Sequence, residues 1–96
     1  ILEKPHKIMV KEILKNYLKF KKTNVWIFGS RANGNPRPDS NLNLLFDPPL
    51  SPSIRAKLVQ DFKESNLMID VELVNRIEVE EADKKRIEDT KILFHY

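Results

Sequence analysis

The chain has 96 residues, which suits one small domain, because the surface buried on folding leaves little for a second core. Hydrophobic residues make up 41% and charged residues 32%, an ordinary balance for a soluble globular protein. There is no cysteine, which excludes a disulfide framework and any thiolate metal site. No apolar run approaches the roughly 20 residues of a membrane span, and no basic-then-apolar signal segment is present. The expectation is a cytoplasmic domain with no membrane contact. It begins at Ile1 rather than methionine, so a preceding segment is expected to have been removed or left out.

The net charge is only +3 but is spread unevenly. Residues 1–22 hold seven lysines against Glu3 and Glu12, a local net of +5; residues 61–90 hold ten acidic and five basic residues, a local net of −5. A basic stripe of this kind is a nucleic-acid footprint in some proteins, but more often it is the solvated face of an amphipathic helix.

Along the chain, Pro5 suits the first turn of a helix, and the apolar spacing of Ile8, Met9, Ile13 and Tyr17 predicts helix over about 5–20. Val25-Trp26-Ile27-Phe28 reads as a buried strand that stops at Gly29. Arg31-Ala32-Asn33 fits one helical turn, after which Asn33-Gly34 and Pro36-Arg37-Pro38 force turns. Leu42–Phe46 reads as a second strand, closed by Pro48-Pro49. Ser51 or Ser53 can cap a helix carrying Ile54, Leu58, Val59 and Phe62 and ending near Asn66. Residues 69–74 alternate with period two, as a strand with one polar face does. A charged helix is expected from about Val79 to Glu88, with Val79, Ala82, Arg86 and Ile87 along one side. Ile92-Leu93-Phe94 is a last short strand or an apolar tail. The order, α-β-turn-β-α-β-α-β, describes one α/β domain over 1–96.

Chemistry concentrates in residues 25–47, VWIFGSRANGNPRPDSNLNLLFD. A strand ends at Gly29-Ser30 and the chain turns at once. Gly29 allows a ligand to approach the backbone, the amides of a tight turn favour an anion, and Ser30 adds a hydroxyl. A phosphate chain is the natural ligand, with Arg31 and Arg37 as charge-assisted donors. In the next strand residues 41 and 43 point to one face; carboxylates there would hold a divalent metal against the phosphates. Asp70 and Glu72 share a face in the third strand.

Gly29-Ser30, ten further residues, positions 41 and 43, and then Ile69-Asp70-Val71-Glu72-Leu73-Val74 together resemble the minimal nucleotidyltransferase (MNT) family of the DNA polymerase beta superfamily. The resemblance spans nearly the whole chain. It implies an α/β (α+β) fold, a small mixed sheet flanked by helices, that binds a nucleoside triphosphate such as ATP with Mg²⁺ and transfers a nucleotidyl (adenylyl) group. It also implies an antitoxin role beside an all-helical HEPN-domain toxin, which some members adenylylate. By that likeness Gly29 and Ser30 hold the triphosphate, Asn41 and Asn43 stand at the two metal-ligand aspartate positions, and Glu72 stands at the third, with Asp70 the alternative. Asp39, in the turn before, is a possible substitute ligand.

The departure is the pair of amides. Unit charges about 4 Å apart are worth roughly 4 kcal/mol at an effective dielectric near 20, so losing two ligand charges weakens Mg²⁺ binding by at least several kcal/mol. Each 1.4 kcal/mol or so of lost transition-state stabilisation costs about tenfold in rate. The chain is therefore expected to bind Mg²⁺–ATP weakly and to be nearly inactive as a transferase. Natural loss of the carboxylates and their near-isosteric replacement both account for the amides. Three function classes follow: a nucleotidyltransferase whose transfer is crippled, a non-catalytic antitoxin that covers its toxin, and a nucleic-acid-binding module using the lysine-rich helix. The last lacks the interleaved aromatics that single-strand binding uses. Trp26 reads as a core or interface aromatic, and His6 and His95 as surface residues. Trp26, Phe28, Phe46, Phe62, Phe94 and Tyr96 exceed what so small a core needs, so the tail Ile92-Leu93-Phe94 is expected to pack on a partner, with the charge-biased ends steering its approach.

Overall fold

The computed structural model describes residues 2–34, 37 and 40–96. Helix α1 runs Lys4–Leu18, strand β1 Asn24–Phe28, the single turn α2 Ser30–Asn33, and strand β2 Leu42–Asp47. Helix α3 (Pro52–Glu64), strand β3 (Val71–Asn75), a 3-10 turn (Arg76–Glu78), helix α4 (Glu81–Thr90) and strand β4 (Ile92–Leu93) complete the chain. The strands form one mixed sheet in the order β3-β2-β1-β4. β1 is antiparallel to both β2 and β4, and β2 is parallel to β3. The α3 crossover makes that parallel pairing reachable, because a tight hairpin cannot join parallel strands.

Alternation along β1 and β2 divides the molecule. Val25 and Ile27 of β1 and Leu42, Leu44 and Phe46 of β2 turn to one face, where they pack with Val10, Leu14 and Leu18 of α1 and Leu58 and Phe62 of α3. Val10, Leu14 and Leu18 recur every four residues and so form one stripe, while six of the seven N-terminal lysines lie exposed and Lys11 is half-buried. Tyr17 of α1 donates its hydroxyl to Asp61 of α3 (2.7 Å), tying the two helices together. That bond to the carboxylate raises the phenol above its ordinary range.

The opposite face carries Trp26, Phe28, Asn43 and Leu45 beneath α4 (parity of β1 and β2). Leu45 and Ile87 are buried there. Trp26 lies under two cations, Lys91 at 5.1 Å and Arg76 at 5.9 Å from its ring, and Arg76 also bridges Glu88 (2.7 Å) and Asp47 (3.3 Å).

β3 is an edge strand, and an open edge invites pairing with another chain. Side chains close it: Arg55 donates to the Leu73 carbonyl (2.8 Å) and pairs with Glu78 (2.8 Å), and Glu78 accepts from the Asn75 amide (2.9 Å). Asn75 is itself buried, and its side-chain oxygen accepts from the Leu50 amide (2.9 Å). Loop and edge are thus locked as one unit.

Several element bounds differ from expectation for local reasons. Ser51 rather than Ser53 caps α3, accepting from the Ile54 amide (3.2 Å). β3 starts at Val71, two residues late, because Met68 adopts positive φ (64°) and bends the chain; the Asp70 carbonyl still accepts from the Leu42 amide (2.8 Å). α4 begins at Glu81, since Arg76–Glu78 first forms a 3-10 turn. The turn expected at Pro36-Arg37-Pro38 falls on Pro36 and Pro38, which lie outside the described residues.

The expectation that Ile92-Leu93-Phe94 packs on a partner is overturned. Ile92 and Leu93 pair with Ile27 and Trp26, the Phe94 amide donates to the Val25 carbonyl (2.8 Å), and the Phe94 ring is buried. Phe46 and Phe62 are core as well, so these aromatics are not surplus. The exposed aromatic is instead Phe20, just past α1 and 93% exposed.

Phe94→Ala should cost about 3–5 kcal/mol, read as a lower urea midpoint for the isolated chain; an unchanged midpoint would return the tail to a partner-facing role. Arg55, and after it the Asn75 amide, holds the Glu78 carboxyl below the ordinary glutamate range near 4.5. A depressed carboxyl stabilises the fold above that range and ceases to do so as the pH falls through its folded value. Glu78→Gln should therefore lower the urea midpoint slightly at neutral pH, and the gap should close in acid. A gap that persists below the folded value would mean that the charge is not its cause.

Candidate functional site

The site is built where β1 ends. Gly29 has φ 83° and ψ −155°, a conformation that favours glycine. A Cβ added there would lie 2.6 Å from Nδ2 of Asn43, so the bare backbone is what lets the Asn43 amide lie against the turn. The amides of Ala32 and Asn33 both donate to the Gly29 carbonyl (3.0 and 3.1 Å), closing α2 directly behind it.

Arg31 works inside the protein. It is buried, and its Nε and Nη2 donate to the Ser40 carbonyl at 3.2 and 2.9 Å. The hydroxyl of Ser40 in turn accepts from the Arg37 amide (2.8 Å). Arg31 therefore buckles the two ends of the 31–40 segment and delivers the chain into β2 beside α2. Arg37 is exposed. Asp39 lies outside the described residues.

Register places the remaining candidates. Phe28 is opposite Asn43 across the antiparallel pair, and Asn43 is opposite Glu72 across the parallel pair. Phe28, Asn43 and Glu72 thus form a row across three strands about 4.8 Å apart. Asn41 lies two residues before Asn43, with the same parity and just ahead of β2, and is exposed. Asp70 lines a different cavity, with Phe62, Lys63 and Met68, and precedes the strand. Of the two acidic candidates in that region, Glu72 is the one ranked beside Asn43.

Asn43 is half-buried, and its Oδ1 is fully buried with no hydrogen-bond partner among the described residues. Buried polar atoms are nearly always partnered, so this one points to a missing donor or cation. The donor set fits a magnesium centre poorly: positions 41 and 43 offer neutral amides, and Glu72 alone offers a carboxylate. Among the described residues no group of three or more His, Cys, Asp or Glu is placed to hold a metal.

Gly29 and Asn43 share a cavity of about 260 Å³ with Phe28, Asn33 and, from α4, Arg86, Ile87 and Thr90. The sequence pattern sets Arg86 with Val79, Ala82 and Ile87 along one side of α4 and gives it no role. A cation within an otherwise apolar stripe was the available signal. Larger cavities lie elsewhere among the described residues, including one between Asp47, Arg76 and Glu88 and one beside Asp70. In the first, Arg76 already pairs with both carboxylates.

Similar architecture occurs in solved structures. A toxin–antitoxin structure solved with AMP-PNP superposes with TM-score 0.70 at 18% identity, over 93% of this chain and 72% of that one. The chain has a minimal nucleotidyltransferase fold. A toxin–antitoxin MntA–HpeT mutant carrying two aspartate-to-glutamate replacements matches with TM-score 0.63 at 18% identity, over 93% of this chain and 71% of that one. A Sulfolobus solfataricus protein described as a nucleotidyltransferase matches with TM-score 0.50 at 27% identity, over 92% and 74%. No protein-family model and no curated protein matches the sequence. The four-stranded mixed sheet flanked by helices is the architecture of this nucleotidyltransferase fold.

The contact between residues 29 and 43 can be measured. Gly29→Ala should destabilise the chain by about 1–3 kcal/mol through positive φ and the clash together. In an Asn43→Ala background the clash is gone and part of that cost should vanish, a coupling of roughly 0.5 kcal/mol or more. Additive effects in urea unfolding would show that the two residues do not press on each other.

Proposed function

We propose that this chain is a cytoplasmic antitoxin with a nucleotidyltransferase fold, which restrains a helical HEPN-type toxin by binding it. The transfer of adenylyl groups from ATP with Mg²⁺, which the fold can support, is nearly abolished in this sequence. One observation carries the reading: the central position of the row, Asn43, is a neutral amide with Glu72 as its only acidic neighbour in the ladder. A doubly charged cation gains little from amide oxygens compared with carboxylates, and a neutral ligand does not activate a hydroxyl. The toxin–antitoxin neighbours support the antitoxin role, and the one solved with AMP-PNP supports a nucleotide at the site.

In this reading Gly29 and Ser30 receive the phosphates and Arg37 approaches them from the loop, while Arg31 positions the segment through Ser40. Glu72 is the remaining acidic ligand, and Asp70 stands outside the row.

Co-expression with a cognate HEPN protein, followed by size-exclusion chromatography, should give one complex at micromolar concentration, with an interface above about 1,000 Å². Radiolabelled ATP should leave the partner unlabelled with the chain as written. Asn41→Asp combined with Asn43→Asp should gain Mg²⁺-dependent labelling. Separate elution would remove the binding role, and equal labelling by both forms would show that the carboxylates do not matter.

A further inference from the structure

We infer that the cavity bounded by Gly29, Asn43 and Arg86 takes the phosphate end of a nucleotide without a divalent cation, the Arg86 guanidinium supplying the positive charge. The inference rests on phosphate binding at Gly29 and is independent of any toxin.

Among the described residues that line the cavity there is no carboxylate, and Arg86 is the only charged one. Glu72, on β3, pairs with Asn43 from the side of β2 away from Phe28 and Gly29. Thr90 cannot supply the donor a phosphate needs, because its hydroxyl already donates to the Arg86 carbonyl (2.7 Å). Arg86 itself is loosely held: among the described residues it pairs with Asp83 alone, at 3.1 Å and one helical turn away, and both side chains are largely exposed. Such surface pairs contribute little, so the guanidinium is free to turn toward an anion, for which its planar fork of donors is suited.

Asn43 completes the pocket. Its Nδ2 lies on the Gly29 side, so the amide already turns an NH₂ donor toward the cavity. An aspartate at the same place could only accept, and would repel phosphate unless a metal intervened. The amides therefore change the sign of the site as well as weakening metal binding: what would be a metal-bridged pocket becomes one that receives an anion directly. Gly29 keeps the approach open, since a side chain there would collide with Asn43.

Isothermal titration of the full chain with ATP and with inorganic tripolyphosphate, in EDTA and again in excess Mg²⁺, tests this. Both ligands should bind in EDTA, with ATP Kd values in the two media within about threefold. Arg86→Ala should weaken binding in EDTA by about tenfold, the scale of one lost charge-assisted hydrogen bond, and Arg86→Lys should restore most of it. Asn41→Asp with Asn43→Asp should lose binding in EDTA and regain it with Mg²⁺. Because Arg86 is exposed, its variants should keep the circular dichroism of the parent. Binding that requires Mg²⁺, undiminished binding by Arg86→Ala, or no binding in either medium would overturn the inference. None of these outcomes bears on whether the chain forms a complex with a toxin.

Discussion

The head of the sheet depends on one close contact, the Asn43 amide lying against Gly29. It requires a residue without a side chain at 29, with φ at 83°, and it requires β2 to deliver position 43 at the level where β1 ends. The antiparallel register satisfies the second condition by setting Phe28 opposite Asn43. Arg31 supports the first from behind, through its paired bonds to the Ser40 carbonyl. Turn, loop closure and strand register are therefore one mechanical unit, and any ligand of this site meets backbone at Gly29 and an amide at Asn43.

The two faces of the sheet serve different ends. One is dry, and its packing against α1 and α3 supplies the apolar burial that stabilises a domain of this size. The other is polar toward β3 and cationic beneath α4, where Arg76 and Lys91 lie over Trp26 and Arg86 opens on the Gly29 cavity. Because β2 is flanked by β1 and β3, Asn43 has a carboxylate, Glu72, on one side and shares a cavity with the α4 cation Arg86 on the other. Replacing a carboxylate by an amide at that junction shifts the balance toward anions, by a Coulomb effect that is larger in a half-buried site than in water.

Edge protection and the charge networks are separate from the site. Arg55, Glu78 and Asn75 close β3, and Lys91, with a smaller contribution from Arg76, holds the Glu88 carboxyl below its ordinary range against the opposing effect of burial. The Arg55–Glu78 and Arg76–Glu88 pairs stay partly exposed, so each contributes modestly. Their combined effect is positional: they fix α4 over the sheet and hence fix where Arg86 stands.

From the sequence alone, the strands around 25–28 and 42–46, the turn at Gly29-Ser30, and the shared parity of Asn41 and Asn43 were legible, because alternation and glycine chemistry act locally. The likeness of the 25–47 stretch to nucleotidyltransferases rested on the same local pattern. The roles of Arg31, Arg86 and Phe94 were not legible. Whether Arg31 reaches a phosphate or the Ser40 carbonyl depends on how a ten-residue segment folds back. Arg86 comes near Gly29 only because α4 packs over the sheet, more than fifty positions along the chain. Phe94 is core rather than interface because β4 returns antiparallel to β1 and the Val25 carbonyl accepts from its amide. Local periodicity determined which residues share a face; tertiary packing alone decided which distant side chains meet there, since burial and charge act through space and not along the chain.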